Sequence, residues 1–143
     1  MTHFGPVSAR ELIEQYRSAF ASGDVDALQD CFNFPLQVVS ITKERAQVSI
    51  ARAEDWPQVL DELLSGYERL SVAEPVPLSL EVTEPVEGVA FVGVHWALQR
   101  ANGDPVYDFM AVYTLARTDS RYRIVAIAHD ELPKLRTAMG ALQ

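Results

Sequence analysis

Partway along the chain the spacing of hydrophobic residues changes, and the change divides a mostly helical half from a stranded half. Ser8 and Glu11 are spaced as a capping box ahead of Leu12, Tyr16 and Phe20, which recur at i, i+4 and i+8 with Ile13 and Ala19 beside them. That is one apolar helical face. Gly23 stops it, and Asp24 is placed to cap a second short helix reaching Cys31 and Phe32. Pro35 argues against helix beyond Phe34, and residues 36–41 and 46–51 read as paired strands. Glu54, Asp55 and Pro57 suit the first turn of a third helix, whose face is Trp56, Val59, Leu60, Leu63, Tyr67 and Leu70.

After Glu74 the period becomes two. Val76, Leu78, Leu80 and Val82 alternate with Pro77, Ser79, Glu81 and Thr83, which predicts a strand with one wet face, near a sheet edge. Segments 89–100 and 106–117 flank Asn102-Gly103, a strong hairpin signal. Residues 118–121 turn the chain into a last strand over 122–130, and a short tail helix is expected over 132–142. No repeat, linker or low-complexity tract interrupts this order.

Register assigns the polar residues to faces. A two-residue Asn102-Gly103 loop sets Leu98 opposite Tyr107, Trp96 opposite Phe109, Val94 opposite Ala111 and Val92 opposite Tyr113. The other side of the hairpin carries His95 opposite Met110 and diagonal to Asp108. Taking Asp119-Ser120 as the next loop sets Met110 opposite His129 and Val112 opposite Ile127, so that His129 joins His95 and Asp108 on one face. A bulge there would send His129 to the other side. Both faces of the central strands are largely apolar, and helices can cover only one. The flank bearing Trp96, Tyr107, Phe109 and Tyr113 is therefore expected to meet a second copy of the chain.

Composition narrows the functions. The chain has 143 residues, 48% hydrophobic and 22% charged, as in a soluble globule of one domain. Its net charge of −8 makes nucleic acid or an anionic membrane surface a poor partner. The lone cysteine, Cys31, permits no internal disulfide and reads as a small buried hydrophobe. Residues 1–8 lack the apolar core of a secretory leader, and no stretch approaches the ~18 apolar residues of a membrane span, so a cytoplasmic location is expected. Gly-rich phosphate loops, G-x-S-x-G, H-E-x-x-H and C-x-x-C are all missing.

The element order and two segments, EQYRSAFASGDVDALQDCF over 14–32 and YTLARTDSRYRIVAI over 113–127, resemble the nuclear transport factor 2-like superfamily, which includes ketosteroid isomerases and SnoaL-like cyclases. The resemblance spans roughly residues 8–131 of a single domain over 1–143. It implies an α+β cone of the cystatin-like roll type: a curved mixed or antiparallel sheet, three helices on its concave face, a pocket between them, and often a dimer on the convex face. It sets Tyr16 where ketosteroid isomerases keep an oxyanion-binding Tyr. Their proton-abstracting Asp falls near Ser40 and their second acid near Val112, so no carboxylate is carried over and steroid isomerisation is not expected. The same alignment turns Val112, Thr114, Ile127 and His129 toward the pocket.

Two functions follow from this reading. In one, the chain is a SnoaL-like small-molecule pocket protein that moves a proton, without cofactor or metal, on a small apolar or cyclic substrate. His129 or His95 would be the base, Asp108 the carboxylate that orients it, and Tyr16 the hydrogen-bond donor. Met110, Val112, Thr114, Ile127, Phe20 and Tyr67 are the candidate wall residues, although Tyr67 and Trp56, as an aromatic stripe on a helix, suit packing better than a ligand cage. In the other, the same fold is a non-catalytic ligand-binding or protein-interaction module, and the His–Asp group is a satisfied buried network.

Overall fold

The computed structural model describes residues 8–42 and 44–141. The stretch over 1–7, where no leader is expected, and Leu142, at the end of the expected tail helix, lie outside these. Ser8 caps α1 (Ala9–Ser22) by accepting from the Glu11 backbone N–H, and Gly23 ends it in the left-handed conformation that a residue without Cβ adopts at low cost. Asp24 caps α2 (Val25–Asp30) through the Ala27 N–H. Two strands follow, β1 (Phe32–Thr42) and β2 (Arg45–Ala51), then α3 (Trp56–Arg69), which starts at Trp56-Pro57 as the sequence predicts. The stranded half holds β3 (Glu74–Val86), β4 (Val89–Gln99), β5 (Pro105–Thr118) and β6 (Arg121–His129), and α4 (Glu131–Gly140) ends the described chain.

The six strands form one mixed sheet in the order β2-β1-β6-β5-β4-β3, in which β1 and β6 run parallel and every other pair antiparallel. The proline-bearing strand β3 does lie at an edge, where a residue without N–H is tolerated. Among the described residues four helices accompany the sheet, the three of the first half and the expected tail helix. The fourth, α4, packs on β5 and β1, with Leu135 resting over Gly66 of α3, 3.5 Å from where a Cβ would stand. Among the described residues no helix is long and apolar enough to cross a membrane.

Away from the turn the β4–β5 register is the expected one: Leu98 faces Tyr107, Trp96 faces Phe109, Val94 faces Ala111 and Val92 faces Tyr113. Next to the turn it slips by one, so that Gln99 faces Pro105 and the Arg100 N–H donates to the Asp104 carbonyl, and the loop is longer than the expected two residues. The assignment of faces is the reverse of the expected one. Trp96, Phe109 and Tyr113 point beneath the helices and belong to the core with Val92, Val94 and Leu98, while Met110 and Val112 stand on the open side at 47% and 48% exposure. Packing explains the reversal. The helices must bury the set with more apolar volume, and Trp96, Leu98, Phe109 and Tyr113 outweigh Gly93, His95, Ala97 and Asp108.

The second departure lies in β6. Asp119 and Ser120 form the expected two-residue turn, both at positive φ, and Thr118 pairs with Arg121. Between Leu115↔Ile124 and Thr114↔Ala126, however, β6 carries one extra residue, Val125. From that bulge onward every side chain of β6 changes sides. His129 pairs with Ala111 instead of Met110, and Ile127 pairs with Tyr113 instead of Val112.

Candidate functional site

Between the sheet and the helices lies a cavity of about 480 Å³. Tyr16 and Phe20 of α1 and Trp56, Leu60 and Tyr67 of α3 form its helical wall, and Trp96, Phe109, Tyr113, Ile127 and His129 its sheet wall. Leu132 and Leu135 of α4 complete it. Seven of the lining residues are aromatic, and Tyr16 meets its neighbours edge to face, 4.9 Å from Phe20 and 5.5 Å from Tyr113, centroid to centroid. Trp96 Nε1 donates to the Tyr113 hydroxyl at 2.8 Å, which satisfies two polar groups of the sheet wall. The indole N–H of Trp56 is buried with no partner among the described residues.

The residues expected to act together are divided by the sheet. His95 and Asp108 do pair, Nε2 to Oδ2 at 2.5 Å, but on the open face, where Asp108 is more than half exposed. The imidazole beside Asp108 holds its carboxyl below the usual range. Met110, Val112 and Thr114 share that outer side by register and are absent from the cavity wall, which corrects their placement as pocket residues. Tyr16, Phe20, Tyr67, Ile127 and His129 do line the cavity. The His95, Asp108, His129 trio therefore does not assemble. The cause is the extra residue in β6 together with the inward turn of the bulky face.

The most heavily perturbed acid in the cavity is one that the sequence analysis does not single out. Glu131, the first residue of α4, is 5% exposed and lines the cavity. Its Oε2 accepts from the Tyr107 hydroxyl at 2.6 Å and also from the Tyr67 hydroxyl. Burial pushes its carboxyl up to about 7, against the two phenol hydrogen bonds, which pull it down. The opposing sign matters: without those donors the group would be a still weaker acid. Their own burial raises the phenols of Tyr16, Tyr67 and Tyr107, and the charge of Glu131 adds to it.

His129 stands two residues before it. The Glu131 backbone N–H donates to His129 Nδ1 at 3.2 Å. That bond occupies one ring nitrogen as an acceptor, so the neutral ring carries its proton on Nε2. Burial lowers the imidazole below its ordinary value, and the neighbouring Asp130 opposes this only in part. The ring is thus neutral near pH 7 and offers a donor. Asp130, between them, turns to the other side and accepts the Met110 N–H at 2.9 Å, which anchors the strand end to β5.

A signal for Glu131 was present in the sequence. If alternation continues past His129, residues 129 and 131 share a face and residue 130 takes the other. Ser40, where the family resemblance places a catalytic Asp, lies beside His129 in the β1–β6 pairing and lines the cavity as a hydroxyl. Cys31 is buried, and burial pushes its thiol up to about 12, which leaves it unreactive near neutrality. No three His, Cys, Asp or Glu side chains among the described residues converge as a metal would require.

Comparison with known proteins agrees with this architecture. Residues 7–132 match the family described as NTF2-like protein (DUF6841), and the chain belongs to that family. An NTF2-like protein with a cystatin-like fold from Novosphingobium aromaticivorans superposes with a TM-score of 0.68 at 19% identity, over 94% of this chain and 86% of that one. An NTF-2 like protein of unknown function from Shewanella oneidensis gives 0.64 at 19% identity, over 85% and 94%. A protein from Shewanella frigidimarina, titled a candidate ketosteroid isomerase, gives 0.64 at 12% identity, over 90% and 100%. At these identities the likeness is one of fold. No curated protein sequence matches the chain.

Proposed function

We propose that the chain is a small-molecule pocket protein that moves a proton, without a cofactor, on a small apolar or cyclic substrate. One observation carries this reading: the Glu131 carboxyl is buried in an aromatic-lined cavity with two phenols donating to one of its oxygens, and burial pushes it up to about 7 against those bonds. A group of that strength exchanges its proton readily at physiological pH in both directions. Glu131 takes a proton from a substrate carbon, the electron pair shifts along the substrate, and the same proton returns at another carbon. His129 offers Nε2–H as a hydrogen-bond donor, and Tyr16 supplies a second polar group in the wall. The apolar surroundings strengthen both interactions by excluding water. The isomerase name borne by one structural relative is consistent with proton transfer, although a shared fold carries no reaction by itself.

The test is solvent exchange. 2-Tetralone in deuterated buffer should gain deuterium next to its carbonyl faster with the wild-type protein than with Glu131→Gln, by ~100-fold or more if the carboxyl is the base. The second reading, binding without turnover, is favoured by the hydroxyl of Ser40 where related enzymes hold an acid. It predicts saturable quenching of tryptophan fluorescence with no exchange above the buffer rate. Absence of both signals defeats both readings.

A homodimer belongs to the same proposal. The open side of the sheet bears Phe91, Met110 and Val112, each more than two-fifths exposed. A second copy is the economical cover for such a surface. The single buried thiol suits a reducing compartment, and we place the protein in the cytoplasm on that ground.

A further inference from the structure

We infer that the cavity selects molecules carrying a basic nitrogen on a compact ring-sized apolar body, that is, hydrophobic ammonium ions. The inference rests on the pocket reading above and adds the charge of the ligand. The charges lining the cavity are of one sign. Glu131 lies within, Asp55 and Glu62 are exposed members of its lining, and no lysine or arginine lines it among the described residues. His129 adds no positive charge near neutrality, because burial keeps it neutral. An anion entering this space would meet carboxylates and no counter-charge, while exposed acids draw a cation toward the opening.

The wall supplies the rest of the recognition. The rings of Trp56, Trp96, Phe109 and Tyr113 line the space, and aromatic rings attract ammonium groups most strongly where water is excluded. Glu131 completes the match. Both of its protein hydrogen bonds fall on Oε2, and Oε1 has no partner among the described residues. An ammonium N–H on Oε1 would offset the cost of a buried carboxylate, which a neutral guest leaves unpaired. The volume of about 480 Å³ admits a bicyclic body rather than a bare amine.

The groups facing Glu131 define the pH dependence. They are Tyr67 of α3, Tyr107 and Tyr113 of β5, Tyr16 of α1, His129 of β6 and the adjacent Asp130. The four phenols are raised by burial and stay protonated, and His129 is held neutral further into acid than usual. Glu131 is therefore the group of this set that burial brings to a midpoint near 7.

The experiment compares three molecules of one shape by calorimetry at pH 8: 2-naphthylmethylamine, 2-naphthylmethanol and 2-naphthoate. The amine should bind ~10-fold or more tighter than the alcohol, with the carboxylate weakest. Glu131→Gln should bring amine and alcohol together while alcohol binding persists. With wild-type protein at pH 5.5 the amine preference should shrink, a readout that needs no variant. If the alcohol or carboxylate binds as tightly as the amine, or if the preference survives both Glu131→Gln and pH 5.5, the inference falls and the pocket reading stands. If none of the three binds, the pocket reading falls with it.

Discussion

Tyr107 donates its hydroxyl hydrogen to Glu131 Oε2 at 2.6 Å, tying the middle of the sheet to the first residue of the last helix. Tyr67, from α3, donates to the same oxygen. Three elements thus converge on one carboxyl, and the acid is tuned by groups far from it in sequence.

Removing either phenol should weaken the acid further. The two hydrogen bonds favour the ionised form, so Tyr107→Phe and Tyr67→Phe should each raise the Glu131 carboxyl above about 7. Carbon-13 NMR titration of the side-chain carboxyl checks this. A downward shift in either variant would mean that the phenols act by some route other than hydrogen bonding.

Stability should fall with rising pH on account of Glu131. Its folded value, about 7, lies above its ordinary 4.5, so between these limits the folded chain holds a proton that the unfolded chain has lost. The slope is negative, about 1.4 kcal/mol per pH unit at its steepest, and accumulates to roughly 3 kcal/mol across the window. His129 opposes it. Its lowered value makes stability fall as pH drops below the ordinary 6.5. The difference between wild type and Glu131→Gln isolates the carboxyl. In urea unfolding the variant should gain on the wild type as pH rises from 5 to 8, and parallel curves would contradict the assignment.

His95 and Asp108 should be dispensable to the cavity. They pair on the exposed side of the sheet, and such pairs contribute little in water. Asp108→Asn and His95→Gln should leave amine binding and solvent exchange at wild-type levels and the unfolding midpoint nearly unchanged. A loss comparable to that of Glu131→Gln would restore them to the chemistry.

The open sheet face should govern association. Met110→Glu and Val112→Glu place charge at the centre of the exposed apolar surface. Sedimentation velocity should show a dimer for the wild type and a monomer for either variant, with the cavity's ligand binding retained. A wild type that sediments as a monomer throughout the micromolar range would remove the proposed partner.

Much of the fold was legible because its signals are local. The Ser8 cap, the Gly23 stop, Pro57 in the first turn of α3 and the Asn102-Gly103 turn each act within a few residues. The β4–β5 pairing was legible for the same reason. The site was less so, because it depends on two choices that strand alternation leaves open. Alternation separates Trp96 from His95 but does not say which of them meets the helices; side-chain volume decides that. The extra residue Val125 has no marker such as glycine, yet it turns His129 inward. Glu131 was missed because acids at chain turns are usually solvated, and its partners Tyr67 and Tyr107 arrive from elements remote in sequence.

Val125 acts as a reading-frame switch for the sheet wall. Deleting that one residue would restore simple alternation, withdraw the imidazole to the outside and present Asp130 to the hollow in its place, with the scaffold on either side intact. Proteins built on this plan can therefore exchange the chemistry of their interior through single-residue length changes in the final strand, a route that substitution alone does not offer.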